Sequence, residues 1–358
     1  MDAILRAGGE VLGARLSEPV DLGGSRRSTV VRCRTDGGGT VVVKAFGDGE
    51  HALRGFTAEA AGLSLGLAGP GLLGVHEELP LLVMEDLGEA PTLADVLLGD
   101  DPRAAGEGLL AWARGLGRLA AASVPRRGEL APLAARYGRG RPPWEDLPWL
   151  ADQAAALPAL LDDLGLPVPA GLAGELAGIA AVGADAHPAF TPGDTCPDNN
   201  LLTPDGLRLI DFEGACYQSV FLTAAYCRMP FSTCWCVFRL PDGLAAEVER
   251  TFRDEVVTVY PELAEDEPWQ IGMAQAVAVW TTDATVRMLA GAVAQDAPMH
   301  RTRRPVPTKR QLLRHRWETA STLDGLPAFT RTVRLLLDAY DWDVPPLPGY
   351  PAFRGRTA

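Results

Sequence analysis

One stretch constrains this chain more than any other: Phe190 to Glu213, FTPGDTCPDNNLLTPDGLRLIDFE. It holds Asp194, Asn199 five residues later, a Pro204-Asp205-Gly206 turn, and Asp211 at the end of an apolar run. Pro-Asp-Gly is turn chemistry: Pro presets φ, and Gly accepts a positive one. On either side, Leu201-Leu202 and Leu207 to Ile210 read as two short strands, so the stretch is expected to close as a β-hairpin. A hairpin brings its open ends together, and Asn199 and Asp211 are expected to meet there. The same letters also fit an acidic surface loop before a buried strand. Neither Asp-x4-Asn nor Asp-Phe is specific alone; their order around one hairpin is.

That convergence is what phosphoryl transfer from a nucleoside triphosphate demands. Two Mg²⁺ ions need oxygen ligands from two segments, because the triphosphate lies between them. In kinase-type transfer one Asp accepts or orients the acceptor hydroxyl. An Asn five residues on, and a second Asp before Phe, hold the metal.

Composition narrows the alternatives. At 358 residues the chain is too long for one ordinary core and suits two lobes. Apolar residues make up 47% and charged residues 22%, a globular balance. The net charge of −13 argues against a nucleic-acid partner, whose affinity comes from neutralising phosphates. No apolar run reaches the length of a membrane span, and no basic start with a long apolar run marks a signal peptide. The six cysteines form no paired C-x-x-C motif, so reduced thiols and a cytoplasmic location are expected. Cys234-Trp235-Cys236 reads as buried thiols, with a metal or redox site as the alternative.

The upstream chain adds context. Residues 1 to 18 read as a short amphipathic start. A Gly-rich turn follows, Asp21 to Thr29, where glycines allow close approach to a phosphate and Gly24, Ser25, Arg26 and Ser28 present donors. An ordinary hairpin loop is the alternative. Thr40 to Lys44 is a β-branched strand that ends in Lys, at the strand position of the kinase V-A-I-K motif. Residues 53 to 67 have apolar positions at helical spacing and carry Glu59, which either pairs with Lys44 as in the kinase constellation or is an exposed helical carboxylate. Leu72 to His76 and Leu81 to Met84 read as two strands. Glu85-Asp86-Leu87-Gly88 then breaks the pattern, either as a hinge whose backbone groups at Glu85 and Leu87 hold a purine edge or as a plain strand-to-helix connection.

From Pro91 the chain turns helical. Thr92 is placed to N-cap Leu93 to Leu98. Helices are expected over Glu107–Ser123, Trp149–Leu161, Gly171–Val182, Leu244–Val259, Trp269–Ala294 and Pro327–Asp341. Residues 124 to 148, rich in Arg and Pro, read as irregular. Residues 214 to 239 read as buried. The basic run 301 to 316 reads as a solvated connector or as a partner for the acidic remainder.

With Lys44, Glu59, the Met84-Glu85-Asp86-Leu87 segment, Asp194, Asn199 and Asp211 in this order, the chain resembles the aminoglycoside phosphotransferase and choline kinase family over residues 20 to 215. The resemblance implies an α+β protein-kinase-like fold of two lobes: a small β-rich N-lobe (1–88) and a larger, mostly helical C-lobe (89–358). It implies Asp194 as catalytic base, Asn199 and Asp211 as Mg²⁺ ligands, Lys44 at the α/β-phosphates and Glu59 orienting it. Ser25 to Ser28 would lie over the triphosphate of ATP or GTP. Three departures stand out. Pro192 and Cys196 replace two histidines of the family pattern, which leaves the loop geometry open. Glu213 follows Asp-Phe, where it is either a metal or neighbouring contact or a solvated carboxylate.

The implied activity is transfer of a γ-phosphoryl group to a hydroxyl of a small molecule. An antibiotic is the leading acceptor: the acidic charge suits an aminoglycoside-like polycation, and a nucleoside or macrolide fits nearly as well. Glu145, Asp146, Glu213 and Asp283 are candidate substrate-wall carboxylates. A kinase of choline, homoserine or a sugar is one alternative. A binding protein that has lost catalysis is another, motivated by Pro192. A monomer or homodimer is expected.

Overall fold

The computed structural model describes residues 1–354 apart from 77, 139, 142, 145–148 and 232–233, with backbone only for 182–185. The expected carboxylates Glu145 and Asp146 lie outside the described residues. Among the described residues, no helix is long and apolar enough to cross a membrane.

The N-terminal part, up to Glu85, is built on period-two alternation. β1 (Leu16–Gly24), β2 (Ser28–Thr35), β3 (Thr40–Phe46), β4 (Leu72–Val75) and β5 (Leu81–Glu85) form an antiparallel sheet in the order β1-β2-β3-β5-β4. Successive side chains of a strand point to opposite faces. On β3, Val41 and Val43 join Ala7 of α1 (Asp2–Leu12) in one apolar cluster with Val31, Leu81 and Val83. Val42 and Phe46 go to the other face, which α2 (Glu50–Ser64) covers with Phe56, Ala60 and Leu63. Lys44 shares the parity of Val42 and Phe46. The alternation that buries the valines therefore delivers its ammonium to α2.

The rest is mostly helical: α3 (Leu93–Leu98), α4 (Pro102–Ser123), α5 (Arg127–Gly138), α6 (Trp149–Asp163), α7 (Leu172–Asp185), α8 (Val220–Ala224), α9 (Asp242–Val256), α10 (Asp266–Ala294), α11 (Lys309–Ala320) and α12 (Pro327–Ala339). Between them lie two ribbons, β6 (Pro188–Thr191) with β9 (Cys216–Ser219), and β7 (Asn200–Thr203) with β8 (Gly206–Leu209). Thr92 caps α3 through a capping box with Asp95.

Two expectations are corrected. The Arg- and Pro-rich stretch after residue 124 is not irregular throughout, since α5 occupies Arg127–Gly138. Pro132 lies inside that helix and hides it from a breaker-based reading. Its signal was the stripe Leu130, Ala134 and Gly138, all buried at spacing four. The basic run is not simply a solvated connector either. From Lys309 it forms α11, which buries Leu312, Leu313, Arg316 and Trp317. Arg316 is 2% exposed, and its Nη1 donates to the Trp280 carbonyl at 3.2 Å.

Candidate active site

The hairpin forms in the expected register, Asn200 opposite Leu209 and Thr203 opposite Gly206. Its open end is tied one residue further, where Ile210 N donates to Asn199 O at 3.0 Å. Asn199 accepts that bond and Asp211 directly follows its donor. Asp211 has a φ of 64°, a left-handed conformation that Asp adopts more readily than most residues. Its Oδ1 is 2.6 Å from Lys44 Nζ, and Lys44 Nζ is 2.5 Å from Glu59 Oε2. One ammonium thus joins β3, α2 and the end of the hairpin.

This pair is deeply buried, with Lys44 5% and Glu59 1% exposed. Burial alone disfavours the Lys44 ammonium, but the charges of Glu59 and Asp211 outweigh it and hold its pKa above the ordinary lysine value. Burial pushes the Glu59 carboxyl up, to about 7, against the pull of Lys44. Lys44 is therefore a fixed positive charge.

The Asp194 loop is held without either expected histidine. Asn199 Nδ2 donates to the Asp194 carbonyl at 3.1 Å, and Asn200 Nδ2 to the Thr195 carbonyl at 3.2 Å. Cys196 N donates to Asp194 Oδ1 at 3.1 Å. Burial raises the Asp194 pKa, and the hydrogen bonds from Cys196 offset only part of that. Gly193, just before it, has a φ of 94°, and a Cβ there would meet the Gly214 carbonyl oxygen at 2.4 Å. Gly193→Ala is accordingly expected to cost about 1–3 kcal/mol and to lower turnover by displacing Asp194. Denaturant unfolding with initial rates on the same preparation checks both; unchanged turnover would separate the two.

The Gly-rich turn is compact. Gly24 has a φ of 137° and a Cβ there would meet Ser28 O at 2.4 Å, so glycine is required. The Ser25 hydroxyl accepts from Arg27 N at 3.0 Å and lies 3.4 Å from the Ser28 hydroxyl. Arg26 is exposed. Sequence reasoning passed over Arg27, whose guanidinium pairs with Glu213 and so links this turn to the segment after Asp211. At the hinge, the Glu85 N–H donates to Gly71 O at 2.8 Å. Leu87 follows it before Gly88, whose φ is 75°.

Asp194 and Glu213 open onto a cleft of about 1330 Å³. Arg27, Trp144, Trp149, Trp280 and alanines of α6 and α7 line it, and these two are the carboxylates among its described lining residues. Trp144 Nε1 donates to the Glu213 carbonyl at 2.8 Å, and the Trp149 and Trp280 rings are 5.8 Å apart. The tryptophans come from remote segments, and nothing in their spacing marked them. Asp283 is not among the described lining residues; it is buried on α10, with its carboxylate 3.5 Å from Arg287.

A sequence profile of the phosphotransferase enzyme family matches residues 20–229. The chain belongs to that family. The phosphotransferase is accordingly a kinase in the broad sense, an enzyme with an alcohol group as acceptor. No curated protein matches it. Among solved structures, a protein of Thermobifida fusca assigned as a fructosamine-3-kinase is similar at 20% identity. That match covers 92% of this chain and 99% of the other, with a TM-score of 0.51. A macrolide 2′-phosphotransferase of Brachybacterium faecium is similar at 15% identity, covering 91% and 99%, with a TM-score of 0.49. A choline/ethanolamine kinase family protein of Mesorhizobium loti is similar at 16%, covering 89% and 92%, with a TM-score of 0.48. The phosphotransferase has the two-lobed, protein-kinase-like α+β fold that its motifs implied.

Proposed function

We propose that the protein transfers the γ-phosphoryl group of ATP or GTP to a hydroxyl of a small molecule seated in the tryptophan-lined cleft. The observation that carries this is the shared geometry of the two ends. Lys44 meets Asp211, Asn199 is bonded to the Asp194 carbonyl, and Asp194 itself lines the cleft. The Asp194 carboxylate orients the acceptor hydroxyl and takes its proton. Lys44, aimed by Glu59, pairs with the α/β-phosphates. Gly24, Ser25, Arg26 and Ser28 cover the triphosphate, and the Glu85 carbonyl with the Leu87 amide holds the purine. We place the boundary between the two lobes at residues 88 and 89.

The donor set suits magnesium. Asn199 gives its Nδ2 to the Asp194 carbonyl, which turns its Oδ1 into the ligand atom, and Asp211 adds carboxylate oxygen. Bound magnesium supplies charge neutralisation at the phosphates. The protein's own part is positioning in a fixed electrostatic frame. Thermal unfolding with Mg·ATP or Mg·GTP at about a hundred times Kd is expected to show about 2.7 kcal/mol of added stability. The shift should vanish in Asp211→Asn or without magnesium. No shift with either nucleotide would sink the reading.

The cleft supports a refinement of the acceptor. A compact polycation needs several carboxylates around it, and the described walls supply two amid tryptophan and alanine. We infer an acceptor with a broad apolar face and a reactive hydroxyl, of the neutral or macrolide type, and an antibiotic-modifying role. Phosphorylation assays across macrolide, nucleoside, aminoglycoside and choline acceptors, with resistance measured in a sensitive host, test this. Turnover confined to aminoglycosides or choline would reject it.

A further inference from the structure

The Asp194 loop meets a second constellation that phosphoryl transfer does not use. Cys196 and Asp198 stand on the loop, and Cys234 reaches it from a segment far along the chain. Their ligand atoms all lie within 4.8 Å of one another. Cys236 is adjacent, its Sγ 3.2 Å from that of Cys234. The three cysteines are 4%, 1% and 0% exposed, respectively. All are thiols rather than disulfide partners.

We propose that Cys196, Cys234, Cys236 and Asp198 form a structural zinc site that clamps the catalytic loop to the 234–236 segment. The ligand chemistry is right: zinc takes thiolate and carboxylate ligands in a tetrahedron, and buried thiolates select it over hard cations such as magnesium. The spacing is right as well. With Zn–S near 2.3 Å, tetrahedral sulfurs lie about 3.8 Å apart, inside the 4.8 Å that bounds Cys196, Asp198 and Cys234 and slightly beyond the Cys234–Cys236 distance, so side-chain adjustments close the site.

The surroundings are those of a ligand carboxylate held from behind. Asp198 Oδ2 accepts from Trp235 Nε1 and from Arg303 Nη1, each at 2.8 Å, which orients the other oxygen. The Arg303 guanidinium stacks on the Trp235 ring at 4.5 Å and offsets one unit of the net −2 charge that three thiolates and a carboxylate would leave around Zn²⁺. Binding releases the thiol protons to solvent. The site would act on catalysis through Cys196, whose N–H donates to Asp194 Oδ1 and whose side chain also bonds that carboxylate, so Cys196 is a positioning residue. It would add to the Asn199, Asn200 and Cys196 hydrogen bonds that hold this loop without the two histidines.

The test uses the full chain, purified without chelators or a polyhistidine tag from zinc-supplemented medium. Elemental analysis is expected to find about one zinc per chain, falling at least tenfold in Cys196→Ser and Cys234→Ser and unchanged in Cys216→Ser. Titrating the zinc-free protein with Co²⁺ should produce thiolate charge-transfer absorption and the strong visible bands of a tetrahedral site. Because a ligand variant can fail to fold, Trp235→Phe is the second arm. It keeps the ligands and should weaken zinc affinity by about 10–100-fold. Folded protein that binds neither Zn²⁺ nor Co²⁺ overturns the proposal. So does an intact mass two hydrogens light, with Cys196 disulfide-bonded to Cys234. Neither result depends on finding the acceptor.

Discussion

Asp194→Asn is expected to lower kcat by about 10²–10⁴ while raising the melting temperature of the unliganded protein at neutral pH. The first effect follows from removing the group that takes the acceptor proton. The second follows from burial. The Asp194 pKa is raised in the folded state because burial disfavours its anion more than the Cys196 hydrogen bonds favour it. A carboxyl of that kind costs folding nothing below its unfolded pKa. The cost appears as pH rises and is complete above the folded pKa. Asparagine carries no charge, and its Oδ1 still accepts from Cys196 N. The stabilisation should therefore be present at neutral pH and fade in acid. Melting curves across pH, with single-turnover rates, check both halves. Near-normal turnover would remove Asp194 from its role, and a lowered melting temperature at neutral pH would contradict the burial argument.

Lys44→Met is expected to destabilise the fold by about 3–5 kcal/mol and to abolish productive nucleotide binding. The side chains are similar in length, so the loss is electrostatic. Glu59, with a side chain 2% exposed, is left without its ammonium partner. Its pKa is already raised, to about 7, from an ordinary 4.5, and must rise further without Lys44. The unfolded chain then releases its proton at lower pH than the folded one. The deficit is small near pH 4.5 and grows as pH rises, levelling off only above the folded pKa. Urea unfolding at about pH 5 and about pH 8 measures that growth. Adding Glu59→Leu should recover most of the stability but none of the activity, because an apolar pair replaces a stranded charge. A double variant no more stable than Lys44→Met would show that packing, not charge, is at stake.

Much of this was legible in the chain because its signals are local. The Pro-Asp-Gly turn between two short apolar runs specifies a hairpin, and a hairpin has one open end. Asn199 and Asp211 were predictable neighbours for that reason. Alternation in Val41, Val42, Val43 and Lys44 set which residues share a face, and helical spacing placed Glu59 on the covering helix. Thr92 announced its cap, and the structure added the reciprocal bond from Asp95. Local signals also misled. Arg and Pro letters masked α5, and a run of positive charge hid the apolar face of α11, because composition was weighed there above periodicity.

Motif order, local periodicity and the family resemblance they carry thus pointed to the fold class, the hairpin and the Lys44–Glu59 pair before any coordinates; that Asp211 also reaches Lys44 was decided by the tertiary structure. Tertiary structure alone decided that Arg27 reaches Glu213 and that Trp144, Trp149 and Trp280 line the cleft. It alone left Asp283 paired with Arg287 instead of among the described walls, and set Cys234 beside Cys196. The physical reason is the range of the encoding. A strand or helix writes its faces within a few residues. A contact between remote segments depends on how many packed side chains jointly position two backbones, and no single spacing records that.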